Sequence, residues 1–275
     1  MDNRVYVVSH KECSLPQIEG YSPLAVGSKG KAFPATYYRD DAGTNISELN
    51  NSYCELTGLY WMWKNTAHSH LGLVHYRRYF VDIKNTFMFK GRYIFLNKKN
   101  KYHILGIDEL EKLLAVADLL VKESDTKKIN NETLISTFLG QEIWDELKQT
   151  IYDNHKDYID AFEILSNKKN HINCNMFYGK KEVIDRYCEW LFTVLKQVDD
   201  LHISKTGTRY QNREMGYLAE LLFGVWIQKN NISIKVVPVV NTGDSYAMDG
   251  CLNIFEFLRF MIIKPINHIF GVNIK

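Results

Sequence analysis

Residues 5–11, with the sequence Val-Tyr-Val-Val-Ser-His-Lys, join a short β-branched run to three polar side chains. Such a run predicts a strand buried on both faces, as in parallel sheets. Open α/β sheets bind their ligands at the carboxyl ends of the strands. The stretch therefore predicts an α/β fold and a place for a site, at Ser9, His10 and Lys11.

The rest of the chain alternates between predicted strands and helices. Further strands are predicted at 23–26, 71–75, 119–121, 175–178 and 234–240, and helices at 47–63, 107–117, 143–165, 183–194 and 215–225. The segment 84–103 shows no period and predicts a loop or a hairpin. Pro238 favours an edge position for the last strand. The order predicts one mixed α/β domain over residues 1–250, without internal repeats.

Composition excludes several classes of protein. The chain has 275 residues, of which 45% are hydrophobic and 24% charged, enough for a packed core and unlike a disordered protein. Its formal net charge of +2 argues against a nucleic-acid binder. The first residues lead directly into a strand, and the five cysteines are scattered without a C-x-x-C pair. We therefore expect a cytoplasmic protein with reduced thiols.

The segment 251–275 differs from the rest, because it is rich in Ile, Leu, Phe and Val and carries a few basic residues. It is too short and too charged to span a bilayer. Two interpretations remain open. One is a helical tail packed on the core, and the other is an element that docks on an anionic membrane surface.

Arg39, Asp40 and Asp41 stand together in a predicted loop that opens a helix, with Asn45 and the predicted N-cap Ser47 after them. A carboxylate in such a loop can hold sugar hydroxyls or act as a general base. The alternative is an Asx turn with a helix cap, which needs no ligand.

His75, Tyr76, Arg77 and Arg78 follow another predicted strand. Guanidinium groups match phosphate oxygens in bidentate pairs, so this segment can neutralise a diphosphate. The alternative is a solvated basic turn.

Gln211, Arg213, Tyr217 and Glu220 lie at the predicted start of a helix, and the last three share one face. The helix dipole favours negative charge at such a start. The alternative is an exposed face held by salt bridges.

Several common motifs are absent from the sequence. It has no phosphate-binding loop, no G-x-G-x-x-G fingerprint, no H-E-x-x-H pair and no G-x-S-x-G elbow. It also lacks the D-x-D tripeptide with which many sugar-nucleotide enzymes hold a divalent cation. We therefore predict no metal ligands and no certain cofactor, although a Mg or Mn ion stays possible.

Taken together, these segments resemble the bacterial capsular and exopolysaccharide biosynthesis family catalogued as domain of unknown function 4422. The resemblance runs from about residue 4 to about residue 230 and rests on ordered motifs, at 7–11, 39–47, 50–65, 72–80, His171, 175–177, 189–192 and 211–220. Two departures stand out. Leu221 replaces the arginine usual after Glu220, which puts any role of that arginine in doubt, and Tyr178 replaces an apolar residue, which suggests a change in sugar or acceptor choice.

The resemblance implies a single GT-A-like, Rossmann-like domain that binds a nucleotide sugar and acts as a glycosyltransferase. The activity associated with the family is β-galactofuranosyl transfer, which implies UDP-galactofuranose as the donor and an inverting single displacement. The acceptor implied is a lipid-linked glycan of capsule, exopolysaccharide or O-antigen at the inner face of the membrane. No nucleic-acid partner is expected.

Roles for individual residues follow from this resemblance. Asp41 is the first choice for the general base, with Glu220 and Asp40 behind it. The predicted donor-binding residues are Ser9, His10, Lys11, Arg39, Asn45, Glu55, His75, Tyr76, Arg77, Arg78, His171, Asn175, Gln211 and Arg213. Arg77 or Arg78 is expected to take over much of the work of a cation on the diphosphate. A non-catalytic sugar-nucleotide binder and a structural partner of a polysaccharide assembly complex remain as alternatives.

Overall fold

The structure is a computed structural model that describes residues 3–83, 86–89, 92–95, 102–242 and 251–253. The strands within them are β1 (Arg4–Ser9), β2 (Tyr21–Ala25), β3 (Tyr38–Arg39), β4 (His70–His75), β5 (Arg78–Asp82), β6 (Thr86–Phe89), β7 (Arg92–Phe95), β8 (His103–Ile104), β9 (Leu119–Lys122), β10 (Asp125–Thr126), β11 (Asn170–His171), β12 (Phe177–Lys180), β13 (Ile234–Val237), β14 (Val239–Asn241) and β15 (Cys251–Asn253). The helices are α1 (Asn50–Tyr53), α2 (Leu56–Asn65), α3 (Ile107–Leu114), α4 (Asn131–Leu139), α5 (Gln141–Asn154), α6 (Ile159–Asn167), α7 (Lys181–Thr206) and α8 (Glu214–Lys229).

The chain divides into two compact units. The larger unit comprises residues 1–76 and 106–237, and the smaller unit comprises residues 77–105 and 238–275. The predicted domain of residues 1–250 contains the whole larger unit and part of the smaller one, and its predicted end at residue 250 falls inside the smaller unit.

The larger unit is built on a central mixed sheet with the strand order β13-β9-β12-β4-β1-β2-β3. Strand β1 pairs in parallel with β2 and β4, β2 with β3, and β9 with β13, whereas β12 is antiparallel to both of its neighbours. All strands of this sheet except β12 therefore run in one direction. This confirms the predicted mixed α/β class. The predicted strand 234–240 is broken at Pro238 into β13 and β14, and β13 has the predicted edge position in this sheet.

The apolar run Val5–Val8 forms β1 because both faces of this strand are covered. All four residues are at most 2% exposed. Tyr6 and Val8 belong to the main hydrophobic core, together with Leu73 of β4. A strand buried on both faces needs a continuous apolar sequence rather than an alternating one, which is why the run predicted it correctly.

Helix α2 packs closely on one face of this sheet at Gly58. A Cβ atom at Gly58 would lie 2.9 Å from a Val26 methyl carbon, 3.1 Å from one of Val8 and 3.2 Å from one of Leu24. Glycine is therefore the residue that lets the helix backbone approach the strands. The helix brings Glu55, which precedes it, to the end of the sheet where β1 and β2 finish.

Two predicted helices are broken in the structure. The predicted helix 47–63 is divided into a 3-10 turn at Ser47–Leu49, α1 and α2. The break between α1 and α2 lies at Cys54, which adopts a positive φ of 50°. The predicted helix 143–165 is divided into α5 and α6 by a 3-10 turn at Lys156–Tyr158. In both cases the apolar period continues across the break, so the pattern alone did not reveal it.

In the smaller unit, β5 pairs antiparallel with β14 and β8, and β6 pairs antiparallel with β7. The second pair confirms the hairpin alternative for segment 84–103. Strand β15 pairs in parallel with β7. The rest of the predicted tail, residues 254–275, lies outside the described residues. None of the described helices is long and apolar enough to cross a membrane.

Candidate functional site

The sheet of the larger unit has one edge at which predicted residues gather. We call it the carboxyl edge: it consists of the carboxyl ends of β1, β2 and β4 and the residues that lead into β12, which runs the opposite way. Parallel strands present the ends of their backbones at such an edge, and α/β sheets bind ligands there.

Ser9, His10 and Lys11 shape the end of β1. Ser9 is 2% exposed, and its hydroxyl donates to the Lys11 carbonyl at 2.5 Å and accepts from the Lys11 backbone N–H at 3.3 Å. The exposed His10 ring meets the Tyr76 ring edge to face, with centroids 5.6 Å apart. The Lys11 ammonium lies 5.9 Å from the Tyr76 ring centroid. The structure therefore brings together four of the residues predicted at this edge, with Ser9 as the turn-forming member.

Asp40 is a buried anchor. Its carboxylate is fully enclosed and accepts hydrogen bonds from the backbone N–H groups of Gly27 and Ser28, at 2.7 and 3.0 Å. Three hydroxyl groups also donate to it, from Ser28 at 2.8 Å, Ser47 at 2.7 Å and Thr57 at 2.6 Å. These bonds tie the loop after β2 to the start of α2. An enclosed carboxylate with five donors has the geometry of a structural anchor rather than of a base open to substrate.

The Ser47 hydroxyl donates to Asp40, so the prediction of Ser47 as an N-cap is wrong. The N-cap position belongs to Ile46, without a side-chain cap. Asn45, a predicted donor-binding residue, closes the preceding turn through its amide, which donates to the carbonyls of Asp41 and Gly43 at 3.1 and 2.9 Å.

Asp41 forms a bidentate ion pair with Arg39. The guanidinium Nε and Nη2 donate to the two carboxylate oxygens at 3.0 and 2.8 Å. The hydrogen bond from Arg39 lowers the pKa of Asp41 below its ordinary value. Arg39 also donates to the carbonyls of Lys31 and Ser28 at 2.9 and 2.8 Å. Both side chains are therefore engaged in fixing the loop, and the pairing weakens Asp41 as a base.

The chain enters β12 through a strained turn. Cys174 and Asn175 have consecutive positive φ values of 73° and 46°, although neither is glycine. Each such residue costs on the order of 1–3 kcal/mol, and strain of this kind concentrates at functional sites. The turn is held by His75, whose Nε2 donates to the Cys174 carbonyl at 2.5 Å. His75 thereby links the end of β4 to the start of β12.

Asn175 joins three distant parts of the chain. Its Nδ2 donates to the Glu55 carboxylate at 2.8 Å and to the Gly216 carbonyl of α8 at 3.0 Å. The residue is only 3% exposed, and its Oδ1 is buried without a hydrogen-bond partner among the described residues. A buried amide oxygen of this kind is costly unless something donates to it. The unpartnered oxygen makes Asn175 a candidate for contact with a ligand.

Glu220 and His171 lie at the same turn. The Glu220 carboxylate accepts from the backbone N–H of Cys174 at 2.8 Å, and its second oxygen lies 3.6 Å from His171 Nε2. His171 Nδ1 donates to Asn131 Oδ1 at 2.9 Å, because the Asn131 amide nitrogen is itself engaged with two carbonyls. This leaves Nε2 facing Glu220. Both side chains keep some exposure, 11% for His171 and 16% for Glu220.

Arg213 and Gln211 precede α8, which begins at Glu214 rather than at Gln211 as the sequence predicted. Arg213 has a positive φ of 70°, and its guanidinium lies 5.6 Å from the Tyr217 ring. It also contacts Cys54, whose thiol pKa is raised to about 11, mainly by burial. Gln211 is exposed and lies 3.4 Å from the Asn51 amide nitrogen. Arg213 is therefore held beside the Glu55 segment, whereas Gln211 is on the surface.

Arg77 and Arg78 belong to the smaller unit. The Arg77 carbonyl accepts from the Thr242 backbone N–H at 2.7 Å, and Arg78 pairs with Asn241 in the ladder of β5 and β14. Their predicted place on a diphosphate stays a prediction.

Tyr178 does not face the carboxyl edge. It is fully buried, and its hydroxyl donates to Glu111 of α3, which also accepts from Asn3 at 2.9 Å and lies 2.8 Å from His70 Nδ1. These residues lie where β1 and β4 begin. The idea that Tyr178 alters sugar choice therefore has no support in its contacts, which explain the residue as a packing partner.

Some residues of this site escaped the sequence analysis. The hydroxyls of Ser28 and Thr57 complete the Asp40 anchor, and Cys54 provides the break that turns Glu55 toward Asn175. Serine and threonine are too common for their type to single them out. The positive φ of Cys54 could not be predicted either, because cysteine is not a residue type that indicates a left-handed backbone.

The sequence matches the family described as Domain of unknown function (DUF4422) over residues 4–231. No curated protein matches the chain. Among solved structures, the apo structure of the WbbM bifunctional glycosyltransferase is similar with a TM-score of 0.74 and 22% sequence identity. The match covers 88% of this chain and 45% of that one, so the chain spans less than half of that protein's length. The fold is thus shared with a glycosyltransferase structure, and the chain belongs to the DUF4422 family.

Proposed function

We propose that this protein is a glycosyltransferase that moves a hexose from a nucleotide-sugar donor to a glycan acceptor. The observation that carries the proposal is the cluster of Glu55, Asn175, Glu220 and His171 at the carboxyl edge, where α/β sheets bind ligands. The fold shared with a glycosyltransferase structure supports the same reaction class. The finer proposal, from family resemblance, is transfer of β-galactofuranose from UDP-galactofuranose.

We assign the general base to Glu220 in preference to Asp41. Glu220 is held by a backbone N–H and faces a histidine ring, whereas Asp41 is bound by a guanidinium. In a single displacement, the acceptor hydroxyl oxygen forms a bond to C1 of the sugar and its proton passes to Glu220. The bond from C1 to the diphosphate oxygen breaks, and UDP leaves with the electron pair. This step inverts C1, as an α-linked donor and a β-linked product require.

Glu55 and Asn175 are proposed to hold the sugar. The unpartnered Oδ1 of Asn175 accepts from a sugar hydroxyl, and the Glu55 carboxylate, oriented by Asn175 Nδ2, accepts from another. Such contacts position C1 against the base and contribute by orientation. The diphosphate of the donor is bound by other side chains, which carry positive charge.

Cationic side chains are proposed to stabilise the departing diphosphate. Three of these side chains lie at the carboxyl edge of the larger unit: His10, Lys11 and Arg213. The sequence assigns Arg77 and Arg78 to the same task. Guanidinium and ammonium groups then supply the charge that a D-x-D motif would supply through a metal. The expected result is UDP release that persists in EDTA. Loss of release in EDTA that Mn²⁺ restores would refute this part.

The acceptor is proposed to be a lipid-linked glycan in the assembly of capsule, exopolysaccharide or O-antigen, at the cytoplasmic face of the membrane. Docking through residues 252–275 is part of this proposal. Removal of these residues should reduce binding to anionic vesicles while UDP binding persists, and unchanged vesicle binding would contradict it.

The test is UDP release from UDP-galactofuranose, UDP-galactopyranose, UDP-glucose and UDP-N-acetylglucosamine, each with a lipid-linked acceptor extract. Selective release from the furanose donor supports the full proposal, and release from another donor keeps the reaction class but removes the sugar assignment. Glu220→Gln should lower turnover about 100-fold or more, while Glu163→Gln, on an exposed face of α6, serves as the matched control. UDP binding without release from any donor would favour a non-catalytic binding protein.

A further inference from the structure

Helices α5 and α7 bring together a second group of titratable side chains, which the proposed reaction does not use. Glu142 and Glu146 lie one turn apart on α5, and His202 lies near the end of α7. One potential ligand atom from each lies within 4.8 Å of the other two. His202 Nδ1 is 3.3 Å from a Glu146 oxygen and 4.0 Å from a Glu142 oxygen.

The burial of this group is a separate observation that points to a ligand. The Glu146 side chain is fully buried, and its Oε1 accepts no hydrogen bond from the described residues. His202 Nδ1 is likewise buried without a hydrogen bond within the described part of the chain. Leaving such atoms without partners costs about 1–3 kcal/mol each, and more where the group is charged. Oε1 faces the Lys205 ammonium, 3.5 Å away. A cation bound by His202 Nδ1 and the Glu146 carboxylate would give both groups a ligand contact.

The distances fit a small transition-metal ion. Zinc binds imidazole nitrogen and carboxylate oxygen at about 2.0–2.2 Å in tetrahedral geometry, which separates neighbouring ligand atoms by about 3.3–3.6 Å. His202 Nδ1 and Glu146 Oε2 already meet this separation at 3.3 Å. A Glu142 oxygen lies 4.0 Å from His202 Nδ1, slightly beyond this separation. The Glu142 side chain is 60% exposed, so a small rotation would bring it to the ion.

The surroundings also match those of a metal site. The Tyr210 hydroxyl donates to Glu146 Oε2 at 2.8 Å, and the Tyr210 ring stacks on the His202 ring with centroids 3.8 Å apart. Outer contacts of this kind orient metal ligands. Lys205 lies 3.5 Å from Glu146 Oε1 and supplies a counter-charge, but its side chain is 42% exposed and can turn into solvent when an ion enters.

We propose that Glu142, Glu146 and His202 form a binding site for a zinc-like divalent ion, with water in the fourth position. A mixed imidazole and carboxylate set favours zinc and its transition-metal neighbours over magnesium. Because Tyr210 also belongs to the segment between α7 and α8, the ion fixes the stretch that leads to Arg213. The site is separate from the proposed reaction, and its test needs no activity.

The experiment is calorimetric titration of the EDTA-treated full chain with Zn²⁺, together with the visible spectrum of the chain with Co²⁺. We expect one site that binds Zn²⁺ and does not bind Mg²⁺ at millimolar concentration, and a tetrahedral cobalt spectrum. Glu142→Gln and Glu146→Gln should each weaken zinc binding about 100-fold or more, since loss of outer-shell partners alone costs about 10–100-fold.

Two matched controls, Glu182→Gln in the first turn of α7 and His155→Asn just after the end of α5, should leave zinc binding unchanged. Glu142 is exposed, so its variant keeps the test valid even if Glu146→Gln fails to fold. Zinc binding that is absent from the full chain, or that is equally strong in Glu142→Gln, would overturn the proposal. In that case Lys205 alone neutralises the buried carboxylate.

Discussion

Replacement of Asp40 by asparagine should destabilise the protein strongly, because this side chain is an anchor rather than a catalyst. Asparagine is nearly isosteric with aspartate, but one carboxylate oxygen becomes an NH₂ group. The less costly orientation directs that NH₂ toward the Oδ2 partners, the Gly27 N–H and the Thr57 hydroxyl. The Thr57 hydroxyl can still donate to the Cys54 carbonyl, 3.0 Å away. The Gly27 N–H has no such alternative among the described residues and would face another donor.

The magnitude follows from these contacts. Hydrogen bonds to a charged group contribute about 1.5–3 kcal/mol, and a buried donor left unsatisfied costs about 1–3 kcal/mol. Relief of the buried charge offsets part of this loss, so we expect a decrease of about 3 kcal/mol in the free energy of unfolding. For a chain of this size, about 1 kcal/mol shifts Tm by about 2–4 °C. Asp40→Asn should therefore lower Tm by about 6–12 °C.

The assay is thermal and urea unfolding followed by circular dichroism, with Asp41→Asn as the control. Asp41 is 22% exposed on its side chain and forms a surface ion pair, which contributes about 1 kcal/mol or less. Asp41→Asn should lower Tm by about 4 °C at most. An Asp40→Asn variant that melts within about 2 °C of the wild type but loses UDP release would refute the anchor and restore a catalytic role.

Three further predictions concern packing, pH and catalysis. Gly72→Ala should destabilise the protein by about 1–3 kcal/mol in urea unfolding, because its Cβ would lie 2.8 Å from Tyr178 Cδ2 and 3.3 Å from the Phe177 carbonyl oxygen. The control Gly216→Ala, inside α8 and with its nearest contact at 3.5 Å, should change stability little. Since Arg39 lowers the pKa of Asp41 below 3.8, the pair stabilises the fold above that pH and loses this effect as the pH falls through the folded pKa. The stability difference between the wild type and Asp41→Asn should be constant from about pH 7 to about pH 5 and shrink as the pH falls below 3.8; a difference that grows as the pH falls would contradict the assignment. Asn175→Ala should raise the KM for the sugar donor about tenfold while UDP alone binds as before, and equal weakening of UDP binding would show that Asn175 does not contact the sugar.

The sequence by itself predicted the strands β1, β2, β4, β9, β12 and β13 of the central sheet and most of the helices, but it missed α4 and the short strands such as β3 and β5. It also predicted the region of the candidate site. The apolar run at 5–8 and the polar residues after it predicted a buried parallel strand and a functional edge, and both features follow from local patterns. Burial on two faces requires continuous apolar residues, and ligands bind where parallel strands end. The residues predicted at these ends, such as Lys11, His75 and Asn175, are found there.

Only the tertiary structure decided what each polar residue does. Asp40 and Asp41 are neighbours in the sequence, but one is enclosed by five donors and the other pairs with Arg39 at the surface. Asn175 and Glu55 are 120 residues apart and meet only because the chain turns at Cys174. Secondary structure follows from the spacing of apolar residues within a short segment. The role of a polar group depends instead on which partners the fold brings to it. Such partners come from distant segments, so no local pattern reveals them.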